Sequence, residues 1–134
     1  MIEWDKIFIS ATEYENDIKK LIRQLEGNKF KYVYGPPRGG FIIAVYLSHW
    51  FHLAFLPDST FKYNLRNDEV LIVDDITHTG STLIPWNKLG FKTATLYYRE
   101  QSVIKPDYFI RIAEPGQWIK FPYEREDEIP NRED

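Results

Sequence analysis

Residues 70–82, with the sequence VLIVDDITHTGST, constrain the fold of this chain more than any other stretch. Four consecutive aliphatic residues predict a strand that is buried on both faces, as in a parallel sheet covered by helices. The strand leads directly into Asp74 and Asp75, although neighbouring carboxylates repel each other and resist transfer out of water. An acid pair at the end of a buried strand therefore indicates that something outside the chain binds there.

The remaining sequence alternates between predicted helices and strands. Ser10 and Glu13 form a capping box that begins a helix, and Gly27 is placed to end it. A nearly continuous apolar run predicts a second helix over residues 41–52, and a third helix follows Thr82 and reaches Leu89. Further strands are predicted at residues 30–34, 53–56, 92–98 and 108–112. This order is typical of an α/β domain whose mainly parallel sheet is flanked by helices.

Length and composition exclude several other classes of protein. The 134 residues are expected to form one globular domain, residues 1–124, followed by a charged and solvated tail at 125–134. The net charge of −3 argues against a general nucleic-acid surface, and the absence of cysteine excludes disulfides and thiolate chemistry. No apolar run approaches the roughly 20 residues of a membrane span, so a cytoplasmic protein without a membrane partner is expected.

The loop at residues 77–82 combines one glycine with three threonines and a serine before a predicted helix. Ligands of parallel sheets bind beyond the carboxyl ends of the strands, where this composition favours a phosphate cradle of N–H groups and hydroxyls. It is not a P-loop, because the GxxxxGK[ST] spacing is missing. Asp74 and Asp75 would accept hydrogen bonds from sugar hydroxyls or hold a hydrated Mg²⁺. Taken alone, the two acids would indicate only an ordinary strand end and helix cap.

The sequence GPPRGG at residues 35–40 follows another predicted strand. A loop rich in proline and glycine is usually only a turn. The glycines beside Arg38 nevertheless allow a close approach of the backbone, so this loop could bind a second phosphate group. Phosphate, diol and metal sites together describe a phosphorylated sugar as the ligand.

Three segments of the chain resemble the type I phosphoribosyltransferases. VLIVDDITHTGST is similar to the motif with which that family binds phosphoribosyl pyrophosphate (PRPP), and YGPPRGG is similar to its pyrophosphate loop. The segment PDYFIRIAEPGQWIKFPYE resembles the end of the xanthine-guanine and hypoxanthine enzymes, where a small C-terminal hood closes over the purine base. The three matches occur in the order of the family and span residues 34–124.

The resemblance implies transfer of 5-phosphoribose from PRPP to guanine, xanthine or hypoxanthine, with release of pyrophosphate and with Mg²⁺ as cofactor. It assigns the ribose hydroxyls and the metal ion to Asp74 and Asp75, and hydrogen bonding or proton exchange at the base to His78 and Arg99. The residues that it assigns to substrate binding are Arg38 and Gly39 for pyrophosphate, Thr79, Gly80, Ser81 and Thr82 for the 5-phosphate, and Trp118 and Ile119 for the base.

Departures from the family keep a second hypothesis open. His78 stands where the purine enzymes commonly carry an aspartate, and Arg99 stands where they typically carry a lysine. Residues 57–69 are short for the mobile loop that covers PRPP in the family. A PRPP-binding regulatory protein without turnover is therefore the alternative. Trp50 and Phe51 are expected at a subunit contact, which makes a homo-oligomer a further hypothesis.

Overall fold

The computed structural model describes residues 3–125, so residues 126–134 of the predicted tail lie outside the described part of the chain. Two 3₁₀ helices, Ser59–Tyr63 and Asn67–Glu69, lie between the third and fourth strands. The strands and α-helices are, in chain order, β1 (Asp5–Phe8), α1 (Ala11–Gln24), β2 (Tyr32–Tyr34), α2 (Gly39–Phe51), β3 (Ala54–Phe55), β4 (Val70–Thr77), α3 (Ile84–Lys88), β5 (Lys92–Tyr98), β6 (Tyr108–Ile112) and β7 (Gln117–Lys120).

Five of the strands form a parallel sheet in the order β3-β2-β4-β5-β6, which confirms the predicted fold class. The central strand β4 is buried on both faces. Leu71 and Val73 contribute to the core that α1 and α2 cover, whereas Val70 and Ile72 contribute to a second core on the opposite face. The continuous apolar run before the acid pair therefore follows from the position of this strand in the middle of the sheet.

The two long helices cover one face of the sheet. In α1 the side chain of Ser10 accepts a hydrogen bond of 3.0 Å from the Glu13 N–H, as the capping box predicts. Helix α2 packs on β4 and is apolar nearly all round. Phe51 is partly buried and packs against the core, and Trp50 is exposed; the predicted subunit contact stays a prediction. Within residues 3–125 no helix has both the length and the apolar character that crossing a membrane requires.

Strand β4 is longer than predicted. It continues through the acid pair to Thr77, because Asp74 pairs with Thr95 and Ile76 pairs with Tyr97 of β5. The prediction that the strand ends at Val73 is therefore wrong, and the two acids lie within the strand. The following helix α3 begins at Ile84, one residue later than a start directly after Thr82.

Strands β1 and β7 were not predicted. They pair in parallel with each other, with Lys6 opposite Trp118, and form a separate two-stranded sheet. This small sheet is the hood, and it is built from both ends of the described chain rather than from the C-terminal segment alone.

Candidate functional site

A crevice opens where the strand order of the large sheet reverses. From β2 the chain passes through α2 to the edge strand β3, and it then returns to β4 on the other side of β2. Helix α2 belongs to one core, and Trp86 of α3 belongs to the core on the opposite face. The loops that follow β2 and β4 therefore diverge, and a ligand site is expected between them.

The acid pair lies at the base of this crevice. Asp74 is 6% exposed and Asp75 is 9% exposed. The Asp75 N–H donates to Asp74 Oδ1 over 2.9 Å, and the Ile76 N–H donates to Asp75 Oδ1 over 2.8 Å. Hydrogen bonds from these backbone N–H groups stabilise the carboxylates and offset part of the cost of burying them side by side.

The loop at residues 35–40 packs directly onto the second acid. A Cβ atom at Gly39 would collide with the Asp75 carboxylate, so only glycine allows this approach. Pro37 and Gly39 line the cleft over the acid pair, whereas the side chain of Arg38 is exposed beside it. The peptide bond between Pro37 and Arg38 is cis.

The loop at residues 78–82 is folded on itself and against a neighbouring segment. The Ser81 N–H donates to Thr79 Oγ1 over 3.2 Å, and the Gly80 carbonyl accepts from the Ile84 N–H over 2.9 Å. Gly80 has a φ of +95°, and a Cβ atom there would lie 2.6 Å from Cγ2 of Ile104. Glycine is therefore required both by the backbone conformation and by the contact with Ile104.

Trp118 on the hood is largely buried, and it lines the cleft over the acid pair. It is 6% exposed, and its ring lies nearly parallel to that of His78, with 5.1 Å between centroids and 5° between planes. The ring of Trp4 meets it edge-on, with centroids 5.8 Å apart. Its indole N–H has no hydrogen-bond partner among the described residues. The stack with His78 covers a face that the predicted base would need.

Arg99 connects the end of β5 to the hood. The guanidinium is part of a side chain that is only 2% exposed, and its Nε donates to His78 Nδ1 over 2.7 Å. Its two terminal nitrogens donate to the carbonyls of Glu114, on the segment that leads into β7, and of Gln117, the first residue of β7. Because arginine can only donate, Nδ1 is the acceptor, and a neutral imidazole in this arrangement carries its proton on Nε2.

Two tyrosines converge on the acid pair, and neither was identified from the sequence. The Tyr123 hydroxyl donates to Asp75 Oδ2. Tyr123 is 37% exposed as a whole, but desolvation of its hydroxyl, followed by the negative charge of Asp75, raises its pKa far above the usual range. The Tyr14 hydroxyl is buried without a hydrogen-bond partner among the described residues, and burial and the charge of Asp75 raise its pKa too. Tyr123 belongs to the FPYE segment of the resemblance, but that pattern does not predict which residue its hydroxyl contacts.

The cleft brings together most of the predicted site residues. It has a volume of about 40 Å³, and the predicted residues that line it are Gly39, Asp74, Asp75, His78, Thr82, Trp118 and Ile119. A second cavity of about 440 Å³ adjoins it, and Thr79 and Arg99 line this cavity. Arg38 and Ser81 are exposed, and Gly80 is buried against Ile104. The roles assigned to these residues stay predictions.

Comparison with solved structures identifies the fold. A purine phosphoribosyltransferase from Pyrococcus horikoshii is similar with a TM-score of 0.77 and 28% identity, over 96% of this chain and 99% of that one. A xanthine-guanine-hypoxanthine phosphoribosyltransferase from Helicobacter pylori matches with a TM-score of 0.72 and 22% identity, over 87% and 92% of the two chains. A hypothetical protein from Neisseria gonorrhoeae, determined with bound ppGpp, matches with a TM-score of 0.71 and 21% identity, over 95% and 92%.

The chain therefore has the type I phosphoribosyltransferase fold, as its motifs predict. No protein-family model matches the sequence, and a search of curated proteins yields no match.

Proposed function

We propose that this chain is a phosphoribosyltransferase, which transfers 5-phosphoribose from PRPP to a purine base and releases pyrophosphate. One observation carries the proposal: the acid pair, the loop at residues 35–40 and the hydroxyl-rich loop after β4 border one cleft at the switch point of the sheet. The similarity to the purine phosphoribosyltransferase of Pyrococcus horikoshii, which extends over 96% of this chain, supports the same reaction.

In this reaction the bond between the anomeric carbon and a pyrophosphate oxygen breaks, and its electron pair leaves with the pyrophosphate. A ring nitrogen of the base forms the new bond to that carbon and loses its proton. Negative charge increases on the leaving group in the transition state, so donors that are already oriented toward it lower the barrier. We assign this role to the side chain of Arg38 and the N–H groups of Arg38 and Gly39, and the binding of the 5-phosphate to residues 79–82.

The proposed cofactor is Mg²⁺, which Asp74 and Asp75 would hold. Within residues 3–125 no group of three or more histidine, aspartate or glutamate side chains is arranged as a metal cage. Mg²⁺ does not require such a cage, because it keeps several waters and binds through one or two carboxylates together with substrate oxygens. Two adjacent carboxylates that border the cleft fit this requirement. When bound, the ion offsets the negative charge of PRPP and of the leaving pyrophosphate.

We assign the base to the hood side of the site, near His78, Arg99, Trp118 and Ile119. The guanidinium of Arg99 only donates hydrogen bonds, and His78 carries its proton on Nε2 when it is neutral. Donors on this side favour a base that presents an oxo group, such as guanine, xanthine or hypoxanthine. Adenine presents an exocyclic amine, which is itself a donor, and should bind less well.

A different observation favours a second candidate, a PRPP-binding regulatory protein without turnover. The cleft over the acid pair measures about 40 Å³, whereas ligand sites typically measure roughly 300–1,000 Å³. Tyr123 donates to Asp75, and His78 covers a face of Trp118, so internal side chains occupy contacts that substrates would use. A protein of this kind would bind its ligand without completing the transfer.

A pyrophosphate-release assay with PRPP, Mg²⁺ and a panel of bases distinguishes the two candidates. We expect release that depends on a 6-oxopurine, and no release from the double variant Asp74→Asn, Asp75→Asn. Asp68→Asn is the matched control, because Asp68 is exposed on a 3₁₀ helix and its partner is Arg66. PRPP binding by calorimetry without release on any base would favour the regulatory candidate, and the absence of PRPP binding would overturn both.

A further inference from the structure

The hydroxyl of Tyr14 is buried in the core close to the acid pair. It has no hydrogen-bond partner among the described residues, and the side chain as a whole is only 6% exposed. A buried hydroxyl that forms no hydrogen bond lowers stability, and phenylalanine would fill the same space without that cost. A contact that forms when a ligand binds therefore explains this hydroxyl better than packing does.

Asp75 is the acceptor toward which the Tyr14 hydroxyl lies. Burial, followed by the negative charge of Asp75, raises the pKa of Tyr14 above its usual range, so the phenol keeps its proton and can donate. Tyr14 belongs to α1 and to the core, and it is not among the residues that line the cleft over the acid pair. Its hydroxyl therefore approaches Asp75 from the core, where a ligand in the cleft does not compete with it.

Tyr123 occupies the acceptor that Tyr14 would otherwise use. The Ile76 N–H donates to Asp75 Oδ1 over 2.8 Å, and the Tyr123 hydroxyl donates to Asp75 Oδ2. The rings of Tyr14 and Tyr123 meet edge-on with centroids 5.8 Å apart, so the two phenols lie against each other beside one carboxylate. Only one of them has a hydrogen bond there.

The two tyrosines differ in how easily they can leave Asp75. Tyr123 follows β7 and lies outside both sheets, and more than a third of it is exposed. Tyr14 is part of α1, and its ring also packs edge-on against Phe121 with centroids 6.0 Å apart. A ligand that binds Asp75 Oδ2 can therefore displace Tyr123 toward solvent, whereas Tyr14 stays beside the carboxylate.

We propose that Tyr14 is a positioning residue for Asp75. When a ligand displaces Tyr123, the Tyr14 hydroxyl donates to the Asp75 carboxylate and holds it in the orientation in which it binds PRPP and Mg²⁺. A carboxylate has about four acceptor sites, so a hydrogen bond from the core leaves others for the ligand. The inference rests on the proposed function, because it concerns the acid pair to which we assign PRPP.

Tyr14→Phe tests the inference, with Tyr97→Phe as the matched control. Tyr97 is also 6% exposed and also packs edge-on against Phe121, but its hydroxyl lies near Asp17 instead of the acid pair. Tyr14→Phe should weaken PRPP binding with Mg²⁺ by roughly fivefold in calorimetry, while its Tm stays the same or rises. Tyr97→Phe should change the affinity by less than about twofold. Weaker binding without a loss of stability separates a positioning role from a packing role.

The Tyr123→Phe variant allows a second test, which needs no ligand. It releases Asp75 Oδ2 but keeps the ring against which Tyr14 packs, so the Tyr14 hydroxyl gains its partner in the free protein. Adding Tyr14→Phe to this variant should therefore lower the Tm, whereas the same change in wild type should leave the Tm unchanged or raise it. Thermal unfolding of the four proteins measures both differences.

Two results would overturn the inference. One is an unchanged affinity for PRPP in Tyr14→Phe when wild type binds PRPP. The other is a Tm change from Tyr14→Phe that is no more negative in the Tyr123→Phe variant than in wild type, because the hydroxyl then gains no partner. If wild type does not bind PRPP, the proposed function fails separately, and the two Tm differences alone decide whether Tyr14 donates to Asp75.

Discussion

The cleft has a core side, formed by the acid pair and the loop at residues 79–82, and a hood side, formed by Trp118, Tyr123, and Arg99 with its partner His78. The two sides are held together in different ways. On the core side the hydrogen bonds join close neighbours, such as Asp75 with Asp74 and Ser81 with Thr79. On the hood side they join residues that are far apart in the chain: 21 positions for Arg99 and His78, and 48 for Tyr123 and Asp75. The core side is therefore arranged by the local chain, whereas the hood side depends on distant segments meeting.

This difference suggests which side moves when a ligand binds. The acid pair lies within β4, in the middle of a five-stranded sheet, and cannot shift without disturbing the core. The hood pairs only two short strands and reaches the cleft through single side chains such as Tyr123 and Trp118. The hood sheet has only two strands, whereas the core side belongs to a five-stranded sheet, so we expect the hood to adjust and the core side to stay in place.

The largest effect is expected on the hood side, from Trp118→Ala. The side chain is 6% exposed and packs against both His78 and Trp4, so its loss should lower the free energy of unfolding by about 3–5 kcal/mol. Urea unfolding measures this change. Trp50→Ala, at an exposed position, should alter it by less than about 0.5 kcal/mol. Full stability combined with a higher KM for the base would return Trp118 to the stacking role that the resemblance assigns.

On the core side, Gly80→Ala should weaken PRPP binding by about 2 kcal/mol, a factor of roughly 30. Alanine tolerates a φ of +95° poorly, and its Cβ would lie 2.6 Å from Ile104, so the loop must shift. Gly27→Ala is the control, because Gly27 has a φ of +82° with nothing within 4 Å of the added atom. Equal PRPP affinity in the two variants, measured by calorimetry, would show that the loop does not contact the phosphate.

The double variant Asp74→Asn, Asp75→Asn should keep the fold but lose at least tenfold in Mg²⁺-dependent PRPP affinity. Asparagine is nearly isosteric, but it removes the charge that balances the metal ion, and a hydrogen bond to a charged group contributes roughly 1.5–3 kcal/mol. Calorimetry with and without Mg²⁺ measures the loss, with Asp68→Asn as the control. Unchanged affinity in a folded double variant would refute the assignment of the acid pair.

Tyr123→Phe should have the smallest effect, and it should raise the affinity for PRPP instead of lowering it. Removal of the hydroxyl frees Asp75 Oδ2, so the affinity for PRPP with Mg²⁺ should rise by about 1 kcal/mol, a factor of roughly five. The raised pKa keeps this hydroxyl protonated, so the gain should be the same at pH 6 and pH 9. Tyr63→Phe, at an exposed position, is the control. A loss of affinity would mean that Tyr123 positions Asp75 instead of competing for it.

The same raised pKa predicts how stability depends on pH. The folded protein favours the neutral phenol, so this contribution is present below the ordinary tyrosine pKa of about 10 and is lost as the pH rises above it. Tyr123→Phe should therefore flatten the decline in the free energy of unfolding above pH 10. An identical decline in the variant would place the titrating group elsewhere.

The elements with strong local signals were predicted well. Strands β5 and β6 have the predicted bounds, and α1 begins after the predicted cap at Ser10. Strand β4 was predicted too short, since two acids usually end a strand. Here the Asp75 and Ile76 N–H groups bind the carboxylates, and pairing with β5 continues past them. Strands β1 and β7 were missed because each is only four residues long and mixes polar with apolar side chains.

The amino-acid sequence alone predicted the features that are formed by residues adjacent in the chain. The apolar run of β4, the acids that follow it and the hydroxyls of residues 77–82 are adjacent in the chain, and they are adjacent in the site for the same reason. The contacts of Tyr123 with Asp75, and of Trp4 with Trp118, depend on the hood strands meeting above the sheet. No local pattern encodes such contacts, because their stability comes from burial between distant segments, and this arises only when the whole chain has folded.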